Sequence, residues 1–149
     1  MSAAAIEAML RAERKRKAAP RKAPKKNAGV PLEEDDQIAL IKWFDDWAPA
    51  ELQGRLAASS GGARMAMKTA VRQKRAGSRK GYPDLNLLTQ RHGFAGLFIE
   101  LKRLKGGKLE PEQADWLDFL NQQGYMAVVC VGLEAAKRTI IDYLGTTNE

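Results

Sequence analysis

The sequence predicts an α/β domain in which a mixed central sheet is flanked by helices. Apolar residues at helical spacing alternate along the chain with short apolar runs of strand length. Two of these runs, 84–88 and 96–101, are joined by a loop that carries the turn signal His92-Gly93, which predicts adjacent antiparallel strands. A third run, YMAVVCV at 125–131, is continuous enough for a strand buried on both faces.

The folded part of the chain is predicted to begin with a helix at 32–47. Its sequence, LEEDDQIALIKWFDDW, places Ile38 and Ile41 about one turn apart, so we expect both to lie on the apolar side of an amphipathic helix. Pro49 ends this helix, and a short strand is predicted at 52–59.

The second predicted helix, at 63–76, carries basic residues along one side. Seven basic residues and no acidic residue lie between Arg64 and Lys80. A solvated face usually mixes charges of both signs, so the run favours contact with phosphates, with simple solvation as the alternative. The residues expected to bind DNA in this way are Arg64, Lys68, Arg72, Arg75, Arg79 and Lys80.

After the two antiparallel strands, the pattern predicts a helix, a strand and a last helix. Pro111 suits the first turn of a helix at 112–123, which Gly124 closes. The apolar strand at 125–131 follows, and the last helix occupies 134–144. The predicted order is therefore helix, strand, helix, strand, strand, helix, strand, helix, or αβαββαβα.

The chain has the length of one domain, 149 residues, of which 44% are hydrophobic and 29% charged. Its formal net charge of +7 is concentrated at the start, because 1–30 contains nine of the 25 basic residues and two of the 18 acidic ones. We therefore predict a basic, disordered tail at 1–30 and a folded domain at 31–149. Attraction to a polyanion and simple solubilisation are both open as roles of the tail.

The rare residues exclude several kinds of site. Cys130 is the only cysteine and His92 the only histidine, which excludes disulfide frameworks and Cys-rich or multi-histidine zinc sites within one chain. We expect Cys130 to be buried and His92 to be an ordinary loop residue. No apolar run is long enough to span a membrane, and Glu7 interrupts the only apolar patch at the N-terminus. These features predict a cytoplasmic protein that has no contact with a membrane.

Three polar side chains on the two antiparallel strands have the chemistry of a metal site. Alternation along 96–102 places Glu100 and Lys102 on one face, about 6 to 7 Å apart. Asp84 begins the preceding strand and reaches Glu100 if the two strands pair. Because Mg²⁺ prefers carboxylate ligands and activates water, these residues predict metal-dependent hydrolysis of a phosphodiester. A surface ion pair and a turn aspartate are the alternative interpretation.

The motifs around these residues resemble a known family. GYPDLNLL, GLFIELK, LEPEQADWL and GYMAVVCVG occur in the order found in the VRR-NUC family, the virus-type replication-repair nucleases. The resemblance covers about 32–144 and implies a restriction-endonuclease-like PD-(D/E)XK core. One departure is Ser60, which stands where the family often has an asparagine before two glycines.

The resemblance also implies a set of site residues. The Asp of PD, the Glu and Lys of ExK and a first-helix Glu form the family's metal site, and here they match Asp84, Glu100, Lys102 and Glu33. Glu34 stays open as the first-helix acid. The backbone carbonyl of Leu101 is similar in position to a further metal ligand. Gln113 matches a glutamine that helps to position the catalytic lysine or the substrate phosphate, with helix capping as its alternative role.

The activity implied by the resemblance is cleavage of DNA with Mg²⁺ or Mn²⁺ as cofactor. In this mechanism Lys102 helps to orient or deprotonate the attacking water. Branched or junction DNA in replication, repair or recombination is the expected substrate, in a bacterial or phage-infected cell, and a homodimer would present two active sites. The alternative function is non-catalytic binding of nucleic acid by the tail and Arg64 to Lys80.

Overall fold

The computed structural model describes residues 4, 32–59 and 67–145, without the side chains of 67–69. Its elements follow the predicted order: α1 (Glu33–Trp47), β1 (Leu56–Ala58), α2 (Met67–Arg75), β2 (Leu85–Leu87), β3 (Leu97–Lys102), α3 (Pro111–Gln122), β4 (Met126–Val131) and α4 (Leu133–Leu144). Apart from residue 4, the predicted tail lies outside the described residues, as do Ser60 and Arg64. None of the helices in the described part is both long and apolar enough to cross a membrane.

The four strands form one mixed sheet in the order β1-β2-β3-β4. β2 pairs antiparallel with β1 and with β3, which confirms the predicted pairing of the two central runs. β3 and β4 are parallel, with Glu100 opposite Val129 and Lys102 opposite Val131. A parallel pair needs a crossover connection, and α3 provides it.

Helices cover both faces of the sheet. Because side chains alternate along β3, Ile99 and Leu101 pack into the larger apolar core together with residues of α1 and α4. Phe98 points to the opposite face and packs with Leu117 of α3. Glu100 alternates with Ile99 and Leu101 and therefore shares the face of Phe98, on the side of the sheet where α3 lies.

The apolar side of α1 differs from the one expected. Its buried residues are Asp36, Leu40 and Phe44, which follow one another at four-residue intervals along one face. Ile38 is 63% exposed, so its predicted place on the apolar side was wrong, because it lies two positions from Leu40 and points away from that stripe. The helix begins with four acidic residues, which suit the positive end of a helix dipole: Glu33, Glu34, Asp35 and Asp36.

The prediction that β4 is buried on both faces was also wrong. Val129 is 37% exposed and Val131 is 49% exposed. Within the described residues β4 is the last strand of the sheet, and α3 covers its first half by packing on Ala127. The second half of this face therefore stays open beside Glu100 and Lys102.

Candidate active site

The pairing of β2 with β3 brings Asp84 next to the strand that carries Glu100. Leu85 lies opposite Ile99, so the residue before Leu85 falls beside the end of β3. Oδ2 of Asp84 accepts a hydrogen bond from the backbone N–H of Leu101 at 2.8 Å. This bond fixes the Asp84 carboxylate one residue away from Glu100 along the strand.

The segment before Asp84 is held against α3. Gly81 has φ +85°, and a Cβ at this position would lie 2.7 Å from the backbone nitrogen of Gln113. The ring of Tyr82 packs edge-on against Trp116 at 5.0 Å between centroids and against Phe98 at 6.1 Å. Neither contact was predicted from the sequence, where only the turn residues of GYPD could have suggested a close approach.

Glu100 is the most buried charged residue of the site, with 2% of its surface exposed. Its Oε1 accepts a hydrogen bond from Nε2 of Gln113 at 2.5 Å and lies 3.2 Å from Nζ of Lys102. Its Oε2 is buried without a hydrogen-bond partner among the described residues. Because a buried, unpartnered carboxylate oxygen is unfavourable, this atom needs a cation or a proton.

The environment raises the pKa of both carboxyl groups. Burial and then the negative charge of Asp84 raise the pKa of Glu100 to about 7, although Lys102 opposes this change. Burial also raises the pKa of Asp84, while the hydrogen bond from Leu101 lowers it. The charge of Glu33 adds to the increase at both groups. When both groups are ionised, the two carboxylates therefore repel each other unless a proton or a cation reduces their negative charge.

Gln113 caps its helix, which is one of the roles considered from its sequence position, and its other contact is with Glu100 rather than with Lys102. Its Oε1 accepts a hydrogen bond from the backbone N–H of Glu110 at 2.9 Å, and this bond caps the first turn of α3. Its Nε2 donates to Glu100. Pro111 begins the helix between these residues. The cap therefore fixes the side chain that contacts the buried carboxylate.

Of the two adjacent glutamates on α1, Glu33 lies closer to the site. Its Oε1 accepts a hydrogen bond from the backbone N–H of Arg103 at 3.4 Å, whereas Glu34 is exposed. Across 32–59 and 67–145, no three acidic, histidine or cysteine side chains are close enough together to hold a metal ion. The structure thus brings Asp84 and Glu100 together, while Glu33 lies beside them and contacts the backbone of Arg103.

The oxygen atoms of this pair fit a hard divalent cation. Mg²⁺ is usually bound by one or two carboxylates together with water and substrate phosphate, so a third carboxylate is not required. Asp84 and Glu100 supply two carboxylates, and the unpartnered Oε2 supplies an atom that a cation would satisfy. Leu101 lies between Glu100 and Lys102 in β3, so its backbone carbonyl remains a candidate ligand for the metal ion.

The basic residues before Asp84 are mostly exposed. Arg72 and Arg75 on α2 are open to solvent. Arg79 donates a hydrogen bond to the carbonyl of Lys74 at 3.4 Å, and Nζ of Lys80 lies 2.8 Å from Oε1 of Glu112. Arg64 and the side chain of Lys68 lie outside the described residues.

A cleft of about 420 Å³ opens beside the candidate site. Glu33 and Lys102 line it, as do two basic residues that were not predicted from the sequence, Arg103 and Lys108. The available signal was the run LKRLKGGK, in which four basic residues occur with no acidic one. The other lining residues are Leu32, Gly106 and Glu110.

Comparisons with known proteins find a matching family model and a similar solved structure. The family model for the VRR-NUC domain matches residues 12–134, a range that contains Glu33, Asp84, Glu100, Lys102 and Gln113. A VRR_NUC domain protein of solved structure is similar over 77% of this chain and 89% of its own, with a TM-score of 0.67 and 26% sequence identity. No curated protein matches the chain.

Proposed function

Because the chain belongs to the VRR-NUC domain family, we propose that it is a metal-dependent nuclease that hydrolyses phosphodiester bonds in DNA. One observation carries the proposal. The carboxylate of Glu100 is buried beside Asp84 with one oxygen unpartnered among the described residues, and Nζ of Lys102 lies 3.2 Å from the other oxygen. A nucleic acid is the substrate that a nuclease-type domain implies.

Asp84 and Glu100 are the residues that would hold Mg²⁺ or Mn²⁺, with the carbonyl of Leu101 and the nearby carboxylate of Glu33 as further oxygen ligands. When bound, the ion would neutralise charge on the scissile phosphate and lower the pKa of the attacking water.

The side chains around the pair position the reacting groups. Lys102 is 93% buried and held by its ion pair with Glu100, so its ammonium group stays close to the carboxylates. From there it can orient the attacking water or donate a hydrogen bond to an oxygen of the scissile phosphate in the transition state. Gln113 holds Glu100 and keeps Oε2 of that carboxylate free for the reaction site.

Family membership and the mixed sheet between helices support a PD-(D/E)XK core. The same membership supports branched or junction DNA as the substrate, in replication, repair or recombination. A homodimer would present two such sites to the two arms of a junction.

The test is a cleavage panel of labelled junction, flap, linear duplex and single-stranded DNA with Mg²⁺ or Mn²⁺. Wild type is compared with Asp84→Ala and Glu100→Ala. We expect cleavage by wild type, fastest on branched DNA, and none by either variant. Equal cleavage by all three proteins would contradict the proposed active site. Equal rates on all substrates would contradict a preference for branched DNA.

A further inference from the structure

We propose that the loop at 103–108, here called the basic loop, binds the phosphate backbone of DNA next to the scissile phosphate. The proposal rests on the nuclease function proposed above and adds the element that holds the substrate beside the active site. Recognition of this kind depends on charge and is independent of base sequence.

The charge of the basic loop is available for an external anion. Lys105 and Lys108 are exposed, and neither forms an ion pair with another described residue. Two other exposed lysines of the domain, Lys42 and Lys80, do form such pairs. Cations without an acidic partner on the protein can bind phosphates without first breaking an ion pair.

The basic loop is folded back on itself. Gly106 has φ +74°, and its carbonyl oxygen lies 3.5 Å from the Nη2 donor of Arg103. A Cβ at Gly107 would lie 2.8 Å from the carbonyl oxygen of Arg103, so a side chain there would force the loop open. A preformed loop holds its cations in place and loses less conformational freedom when it binds a ligand.

Contacts at its start attach the basic loop to the site. The backbone N–H of Arg103 donates to Glu33, and the backbone N–H of Gly132 donates to the carbonyl of Lys102 at 2.7 Å. The side chain of Leu104 lies against Gly132, where a Cβ would come within 2.9 Å of it. These contacts fix the loop relative to the end of β3, which carries the candidate catalytic residues.

The cleft connects the basic loop to the active site. Its lining includes Lys102 and Glu33 of the candidate site together with Arg103 and Lys108 of the basic loop. Glu110 also lines it, and the backbone of this residue is part of the cap of α3. A DNA strand with one phosphate at Lys102 would therefore have neighbouring phosphates along a cleft that three basic and two acidic side chains line.

The test compares two double variants that remove the same charge. Lys105→Ala/Lys108→Ala changes the basic loop, and Arg55→Ala/Arg138→Ala changes two exposed cations that do not line the cleft and form no ion pair with another described residue. The measurements are Kd for a labelled DNA duplex without divalent metal at several salt concentrations, and kcat and KM for cleavage with Mg²⁺.

We expect the loop variant to raise Kd and KM about tenfold and to reduce the slope of log K against log salt by about two, while kcat stays within about twofold. The control variant should bind and cleave like wild type. Equal effects of the two variants would overturn the proposal. A wild type that does not cleave would contradict the nuclease function, but selective loss of DNA binding in the loop variant would still support the basic loop.

Discussion

The amide nitrogen of Gln113 donates a hydrogen bond to Oε1 of Glu100 at 2.5 Å, while the amide oxygen of the same side chain accepts one from the backbone of Glu110 at 2.9 Å. One side chain therefore joins the start of α3 to a buried carboxylate of the candidate site. Because an amide has both a donor and an acceptor, it performs both roles at once.

Substitution of Gln113 can separate these two roles. Gln113→Glu keeps an acceptor for the helix cap but loses the donor to Glu100 and places a second acid against it. Gln113→Met loses both. We expect kcat to fall about 10- to 100-fold in both variants, because residues that orient metal ligands have effects of this size.

Stability should distinguish the same two variants at pH 5. The free energy of unfolding should fall by about 1 kcal/mol in Gln113→Met, which lacks the cap, and by less in Gln113→Glu. Thermal unfolding and steady-state kinetics measure the two effects. A wild-type kcat in Gln113→Glu would show that the contact with Glu100 has no role in positioning.

Ionisation of Glu100 should destabilise the metal-free protein as pH rises. Its pKa is about 7 in the folded protein and 4.5 as its ordinary value, so folding favours the protonated form. The stabilising contribution is complete below pH 4.5 and is lost as pH rises through about 7. Glu100→Gln cannot ionise, so its stability relative to wild type should increase by on the order of 2 kcal/mol between pH 5 and pH 8.

Chemical unfolding in the presence of a chelator measures this change. Glu134→Gln is a matched control, because Glu134 is 87% exposed on α4. It should show no such trend over the same pH range. A stability difference between Glu100→Gln and wild type that stays constant with pH would contradict the burial of an ionisable group at this position.

Addition of Mn²⁺ should stabilise wild type. A ligand at 100 times its Kd stabilises the folded state by about 2.7 kcal/mol, and the increase in Tm should be larger at pH 8 than at pH 5.5 because protons compete at Glu100. Asp84→Asn should lose most of the increase and Glu134→Gln should keep it. An equal increase in Tm in wild type and Asp84→Asn would place the metal elsewhere.

The close approach of Gly81 to α3 should make this position intolerant of a side chain. Gly77 and Gly81 both have positive φ, +104° and +85°, but a Cβ at Gly77 meets nothing within 4 Å. Ala at either position carries backbone strain of about 1 kcal/mol. Gly81→Ala also pushes against the backbone of Glu112 and Gln113.

We therefore expect Gly81→Ala to destabilise the protein by about 1 to 3 kcal/mol more than Gly77→Ala, and to lower kcat because it moves Gln113 and the segment before Asp84. Urea unfolding and cleavage rates measure both effects. Equal losses of stability in the two variants would mean that backbone strain alone, without the contact to α3, accounts for the effect of a side chain at Gly81.

The arrangement of Asp84 and Glu100 was predictable because it follows from local rules. Two apolar runs joined by a turn signal pair antiparallel, and alternation along β3 separates Glu100 from the larger core. The contacts of Gly81 and Arg103 were not predictable, since each depends on where a loop meets an element distant in sequence. The exposure of Val129 was missed because an apolar run does not reveal whether its strand lies at the edge of a sheet.

The most direct test of the central claim is the single-turnover rate of DNA cleavage with Mg²⁺ by wild type, Glu100→Gln and Glu134→Gln. Each substitution replaces a carboxyl group with a neutral amide of similar size, but only Glu100 lies in the proposed site. We predict that Glu134→Gln cleaves at the wild-type rate, that Glu100→Gln is at least about 100-fold slower, and that a chelator abolishes cleavage by wild type. Cleavage by Glu100→Gln at the wild-type rate, or cleavage by wild type that persists in the chelator, would contradict the claim.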